Sequence, residues 1–236
     1  MTPAGTRSPA GIGKVTKALE RRARCALAAR RARVAQGPRA AVLRRHPGFV
    51  EAVLEDARVT AAYRTERHKF TGRLDAIGQA IRLSFVSDAF LAQVLYRGKA
   101  SLQAAGVPAL PRIAHRLAIT IAQVCIGDPV SIGPGLYLPH GQVVIDGVTE
   151  IDRNVTVRPW VTIGLKDGNF IGPRIGPNVR IGTGAKVIGP VQIGEGAHIG
   201  ANAVVLIDVP AHSVAVGVPA KVIDVQPPDQ RKLESG

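Results

Sequence analysis

Apolar positions along the chain follow two different periods. In the first half they recur every three or four residues. Phe49, Val50, Val53, Leu54 and Ala57 form one set, Leu74, Ile77, Ala80, Ile81 and Phe85 a second, and Ala89, Phe90, Val94 and Leu95 a third. That spacing predicts amphipathic helices. Ser87 or Asp88 is placed to cap the third at its N-terminus. The stretch GVPALPR (106–112) punctuates the pattern before a last helix over 113–124.

From residue 126 the period becomes six. The segments IGDPVS, IGPGLY, LPHGQV, IDGVTE, IDRNVT and VRPWVT run almost without a break, and IGPNVR, IGTGAK, VIGPVQ, IGEGAH, IGANAV and VLIDVP follow an insertion. Each begins with an aliphatic residue: Ile126, Ile132, Leu138, Ile145, Ile151 and Val157, then Ile175, Ile181, Val187, Ile193, Ile199 and Val205. Most carry a small or β-branched residue four places later, among them Val130, Val155, Val161, Ala185, Ala197 and Ala203. The density of Gly and Pro excludes helix. One inward aliphatic per six residues, with Gly and Asn at the bends, predicts short strands stacked about 4.8 Å apart as a parallel β-helix from 126 to about 210. The fold class expected is therefore α+β, a helical N-terminal domain followed by the coil. The divisions are a basic extension 1–46, a helical domain 47–124, the β-helix 125–224 and a tail 225–236.

The hexads, together with GLYLPHG and the closing GVPAKV, resemble serine acetyltransferases, a family of hexapeptide-repeat acyltransferases. The passage IGTGAKVIGPVQIGEGAHIGANAVVLIDVPAHSVAVGVPAKVI carries most of the likeness, which runs from Ala122 onward. The resemblance implies a left-handed coil and acetyl-CoA as co-substrate, with no metal. It implies a homotrimer, with pairing of trimers through the helical domains. It also implies a histidine general base in a coil, one residue before Gly or Ala, and His140 before Gly141 fills that place. An imidazole is suited to taking the proton of a hydroxyl as it attacks a thioester. A surface residue filling a bend and a hydrogen-bond donor at a trimer interface are the other readings of His140. Along the coil, Gly164, Thr183 and Ala201 are expected to pair with the pantetheine, with His198 and Lys221 near the charged parts of CoA. His46, His68, His115 and His212 carry no such assignment. The histidine pair of the zinc-dependent carbonic anhydrases that share this fold is absent.

Three positions depart from the family pattern. Fifteen residues before His140, where the family has the Asp that orients the base, stands Cys125; Asp128 is the nearby carboxylate. The Asp that precedes the histidine in the family, and meets the serine amine, is Pro139 here. The insertion LKDGNFIGPRI has Ile171 and Gly172 where the family has an Arg-His pair, although Pro173, Arg174 and Ile175 fit. Leaving an amino acid's two charges without countercharges costs several kcal/mol. The donor half thus looks intact and the acceptor half rebuilt, with Asp128, Lys166, Asp167 and Arg174 as candidate acceptor contacts. An O-acetyltransferase acting on a small-molecule hydroxyl other than free serine is the leading expectation. Serine itself, a sugar or polysaccharide, and a non-catalytic trimeric scaffold are the alternatives.

Charge changes this picture little. The chain of 236 residues has formal net charge +14, but residues 1–46 hold twelve Lys and Arg against Glu20 alone. The charge therefore describes an extension, partly helical over 14–34, rather than a domain. No aromatic residues interleave its charges, and no nucleic-acid partner is expected. Aromatics make up only 4%, so Val, Ile, Leu and Ala must build the core. No segment is long and apolar enough to span a membrane, no leader is evident, and Cys25 and Cys125 lie far apart, so the expected compartment is the cytoplasm.

Overall fold

The structure is a computed structural model and describes residues 45–223. The extension up to residue 44, with its expected helix, and the tail from residue 224 lie outside the described residues. Among the described residues four helices come first: α1 (Phe49–Tyr63), α2 (Arg73–Val86), α3 (Phe90–Ala104) and α4 (Leu110–Ala122). Fourteen short strands follow, β1 (Val124–Ile126) to β14 (Lys221–Ile223).

The strands make three faces of a coil. One face has the order β1-β3-β6-β9-β12, the second β10-β7-β4-β2 and the third β14-β13-β11-β8-β5. All pairings are parallel except β13 with β14, which folds back and closes the far end. The coil runs past residue 210, because β13 (Val214–Val216) still pairs parallel with β11. Every hexad leader is buried, from Ile126 and Ile132 to Ile199 and Val205, and so are Val130, Val155, Ala185 and Ala203 four places on. At about 25 cal/mol per Å² of apolar area removed from water, this continuous aliphatic stack is the main source of the coil's stability.

The near end of such a coil exposes an unpaired strand edge, which needs covering. Here α3 covers it with polar side chains. Arg97 donates to the carbonyls of Ile132 (2.5 Å) and Gly133 (2.7 Å), and Lys99 to those of Ile126 (2.5 Å) and Gly127 (3.1 Å). Gln93 donates to Leu136 O and Tyr96 to Val130 O, both at 3.1 Å. From α1, Asp56 accepts the N–H groups of Gly135 and Leu136, each at 2.9 Å, and pairs with Arg97. Arg97, Lys99 and Asp56 are all buried. Charges that interrupt an apolar helix face are thus the caps of the β-helix.

Two expectations about the helices need correction. The third helix begins at Phe90 with Ala89 as its N-cap and no side-chain capping bond, so neither Ser87 nor Asp88 caps it; the Asp88 carboxylate is engaged elsewhere, as described below. The last helix spans Leu110–Ala122, because Pro111 fits a first turn that lacks N–H partners in any case. It ends where Gln123 adopts a left-handed conformation and Val124 starts β1. The cluster of Val53, Ala57, Ala61, Ala80, Leu83 and Phe90 holds the helices together. Leu74, Ile81 and Phe85 stay exposed on α2, and Leu110, Ile113, Leu117 and Ile121 on α4.

Candidate active site

His140 sits on the edge where the third face turns into the first, between buried Leu138 and β3 (Val143–Ile145). The end of α4 comes against this turn, since Gln142 N–H donates to Ala122 O (3.0 Å) and Val143 N–H to Gln123 O (3.2 Å). A Cβ on residue 141 would lie 1.6 Å from Ala122 O, so only glycine fits after the histidine. The backbone thereby fixes the imidazole at the rim of an open cleft of about 330 Å³ lined by Asp88, Thr120, Ile121, His140, Gly141 and Gln142.

The His140 ring meets a carboxylate that sequence reasoning missed. Nδ1 lies 2.6 Å from Oδ2 of Asp88, in the connection between α2 and α3. A carboxylate only accepts, so Nδ1 carries a proton toward Asp88, and in the neutral ring the lone pair is left on Nε2. Both side chains are more than half exposed, 61% for His140 and 69% for Asp88. At that exposure an ion pair contributes under about 1 kcal/mol to stability. What the contact does fix is the orientation of the imidazole at the cleft.

The structure separates the other candidates. Cys125 stands on β1 in register with Val144, and it is Asp88, not a residue at that place, that orients the ring. Asp128 does not take over that role either: its Oδ1 faces Lys99 Nζ at 3.4 Å. Lys166 and Asp167 lie in the insertion between β6 (Thr162–Gly164) and β7 (Ile171–Ile175), on the edge joining the first and second faces. Arg174 lies on β7, 4.0 Å from Glu150 in a wider groove on the second face that also holds Arg45, Gln192 and Asp208. Within one chain, none of these shares the cleft of His140. Thr183 and Ala201 are exposed at later turns of the His140 edge. His198 is exposed on the third face in register with Arg180, and Lys221 on β14. Lys186, on the first face, donates to Trp160 O at 2.6 Å. The second-face groove mixes Glu150, Asp152 and Asp208 with Arg45 and Arg174, whereas Arg180, Lys186 and His198 flank the His140 edge. The cations flanking the His140 edge suit a polyanionic ligand.

A three-faced coil of six-residue units with a carboxylate-held histidine at its edge defines an acyltransferase of the hexapeptide-repeat class. A model of the family "Bacterial transferase hexapeptide (six repeats)" matches residues 167–206. A serine acetyltransferase of Helicobacter pylori is 44% identical over 118 residues, which make up 48% of this chain and 68% of the relative. Among solved structures, soybean serine acetyltransferase complexed with serine superposes with a TM-score of 0.63 at 30% identity, covering 75% of this chain and 70% of that one. A serine acetyltransferase in complex with CoA matches equally well in shape, with a TM-score of 0.63 at 25% identity over 75% of this chain and 70% of the other. The chain belongs to the serine acetyltransferase-like hexapeptide-repeat acyltransferases, and it is an acetyl-transferring enzyme.

Proposed function

We propose that the chain transfers the acetyl group of acetyl-CoA to the hydroxyl of L-serine, with His140 as general base and Asp88 as its positioning residue. The observation that carries this reading is the 2.6 Å contact between His140 Nδ1 and Asp88. The sequence departures at Cys125 and Pro139 argued for a different alcohol. Asp88 supplies, from the helical domain, a carboxylate beside the imidazole that the coil lacks. The relatives described above carry the name serine acetyltransferase, which favours serine over a rebuilt acceptor.

The reaction balances without a covalent enzyme intermediate. His140 Nε2 takes the hydroxyl proton as the oxygen bonds to the thioester carbonyl carbon. The C–S bond breaks as the tetrahedral adduct collapses, and the proton passes from the imidazolium to the departing thiolate. Asp88 steadies the imidazolium in between. The donor runs along the His140 edge, past Thr183 and Ala201, with His198, Arg180, Lys186 and Lys221 near its phosphates, whereas Gly164 is buried at the end of β6, on the far side of the first face beside the insertion.

The same reading takes the coil as left-handed and the active unit as a trimer. Lys166, Asp167 and Arg174 reach a His140 cleft from a neighbouring copy. Support comes from apolar side chains left uncovered in one chain, Leu110, Ile113 and Ile121 on α4 and Phe170 in the insertion. The exposed Leu74, Ile81 and Phe85 on α2 suit pairing of trimers. The divisions 1–46, 47–124, 125–224 and 225–236 are those of a basic extension, a helical unit, the catalytic coil and a tail, and the implied compartment is the cytoplasm. Among the described residues no helix is long and apolar enough to cross a membrane. Incubation with acetyl-CoA and L-serine, with sugars and small alcohols in parallel, tests the acceptor: O-acetylserine as the main product supports it, and another acetylated alcohol overturns it.

A further inference from the structure

All three edges of the coil turn through left-handed backbone, the first-to-second edge at glycines alone (Gly147, Gly168 and Gly189) and the other two at mixed residue types. One stacks Gly135, Asn154, Asn178, Gly196 and His212, residue types that tolerate a positive φ. The other stacks Gln142, Trp160, Gly184 and Asn202, linked by Trp160 N–H to Gln142 O (2.8 Å), Gly184 N–H to Pro159 O (2.9 Å) and Asn202 N–H to Thr183 O (2.8 Å). Only Gln142 and Trp160 depart from the tolerant types; Gln142 lines the His140 cleft, and Trp160 stands one coil further along the same edge. A bulky residue at φ +64° is strained, and strain of this kind persists where function requires it. Trp160 is also the chain's one tryptophan and is 58% exposed on the solvent-facing edge.

Its place along the edge indicates what it meets. The cleft of His140 is bounded on one side by Asp88 and the end of α4. On the other side the edge continues through Trp160 to Gly184 and Asn202, three coil steps or about 14 Å from Gln142. Arg180, Lys186 and His198 flank those later steps. An acceptor entering beside Asp88 leaves the Trp160 side for the donor, with the donor's phosphates among the cations and its thioester between Trp160 and His140.

We propose that the Trp160 indole is the wall against which the acyl-thioester end of the donor packs, and that it sets the acyl length the enzyme accepts. The inference rests on the donor placement of the preceding section. It makes Trp160 a specificity-determining residue that the repeat pattern, left to itself, would replace by Gly or Asn.

The test uses the full chain and its single tryptophan. Indole fluorescence is followed during titration with acetyl-CoA, with calorimetry on the same samples. Turnover of acetyl-, propionyl- and butyryl-CoA is compared for the wild type, Trp160→Asn and Trp160→Phe. Asn is the residue the same edge carries at position 202, so folding should survive and the melting temperature should hold or rise. The proposal expects a saturable fluorescence change. It also expects about a tenfold weaker affinity for acetyl-CoA in Trp160→Asn, about a tenfold higher ratio of butyryl to acetyl turnover, and recovery in Trp160→Phe. Calorimetric binding with no fluorescence change, or an unchanged acyl ratio, overturns it and leaves the donor reading intact. A changed oligomeric mass in Trp160→Asn assigns the indole to a subunit contact and overturns it as well. A wild type that neither binds acetyl-CoA nor releases thiol from it overturns both readings.

Discussion

Replacing Asp88 by Asn keeps the size of the side chain and removes its charge. The amide oxygen can still accept from His140 Nδ1, so the tautomer survives and the lost quantity is the attraction between carboxylate and imidazolium. At a charge separation of about 4 Å that attraction is about 4 kcal/mol at an effective dielectric of 20 and about 1 kcal/mol in bulk water. With His140 and Asp88 61% and 69% exposed, the lower part of that range applies. About 1.5 kcal/mol less stabilisation of the transition state lowers kcat roughly tenfold. Asp88→Leu removes the acceptor too, frees the ring, and should cost about a hundredfold. Because exposed ion pairs contribute so little to folding, both variants should melt within a few degrees of the wild type. The assay is thiol release from acetyl-CoA under saturating serine, with KM for serine determined alongside. Wild-type kcat in Asp88→Asn refutes the positioning role. So does a raised KM for serine at unchanged kcat, which would make Asp88 a grip on the acceptor's ammonium.

Stability should depend on acid through His46. Burial, with Arg97 and Lys99 beside it, pulls this histidine from 6.5 to about 4, and its Nε2 is buried without a hydrogen-bond partner. The unfolded chain takes up the proton near pH 6.5 and the folded chain only near 4, so folding free energy falls as the pH drops through that window, by about 3 kcal/mol at full development. Urea unfolding between pH 7 and 4 should show this slope, and His46→Gln should flatten it; an unchanged slope contradicts the account. Asp56→Ala strips Arg97 of its buried partner and leaves the N–H groups of Gly135 and Leu136 unpaired, so it should lose about 3–5 kcal/mol in chemical unfolding. A loss under 1 kcal/mol would mean that the end of the coil needs no polar cap.

The coil was legible because its cause is local. One aliphatic in six must point inward, and every leader from Ile126 to Val205 does. His140 stood out as a candidate for a related reason, as a polar ring that contributes nothing to the stack. The helices were half legible. Their period was visible, but Leu74, Ile81 and Phe85 are exposed, while small residues outside the predicted sets, such as Ala52, Ala61 and Ala76, are buried. Asp88 was invisible as a partner of His140 because the contact joins residues 52 positions apart, and the local grammar of helix caps offered a competing reading of the same side chain. Asp56 and Arg97 carried a signal that could have been used, since charges among apolar helix positions need partners. Nothing in the sequence indicates that those partners are the first-coil backbone.

The most direct measurement is thiol release from acetyl-CoA with L-serine, wild type against His140→Ala. The account predicts steady turnover and O-acetylserine in the wild type. It predicts a kcat lower by about 10²–10⁴-fold in the variant, with acetyl-CoA affinity and melting temperature retained. Equal turnover in the two proteins would contradict the assignment of His140 as the base, and acetyl-CoA binding without turnover in the wild type would contradict catalysis at this cleft.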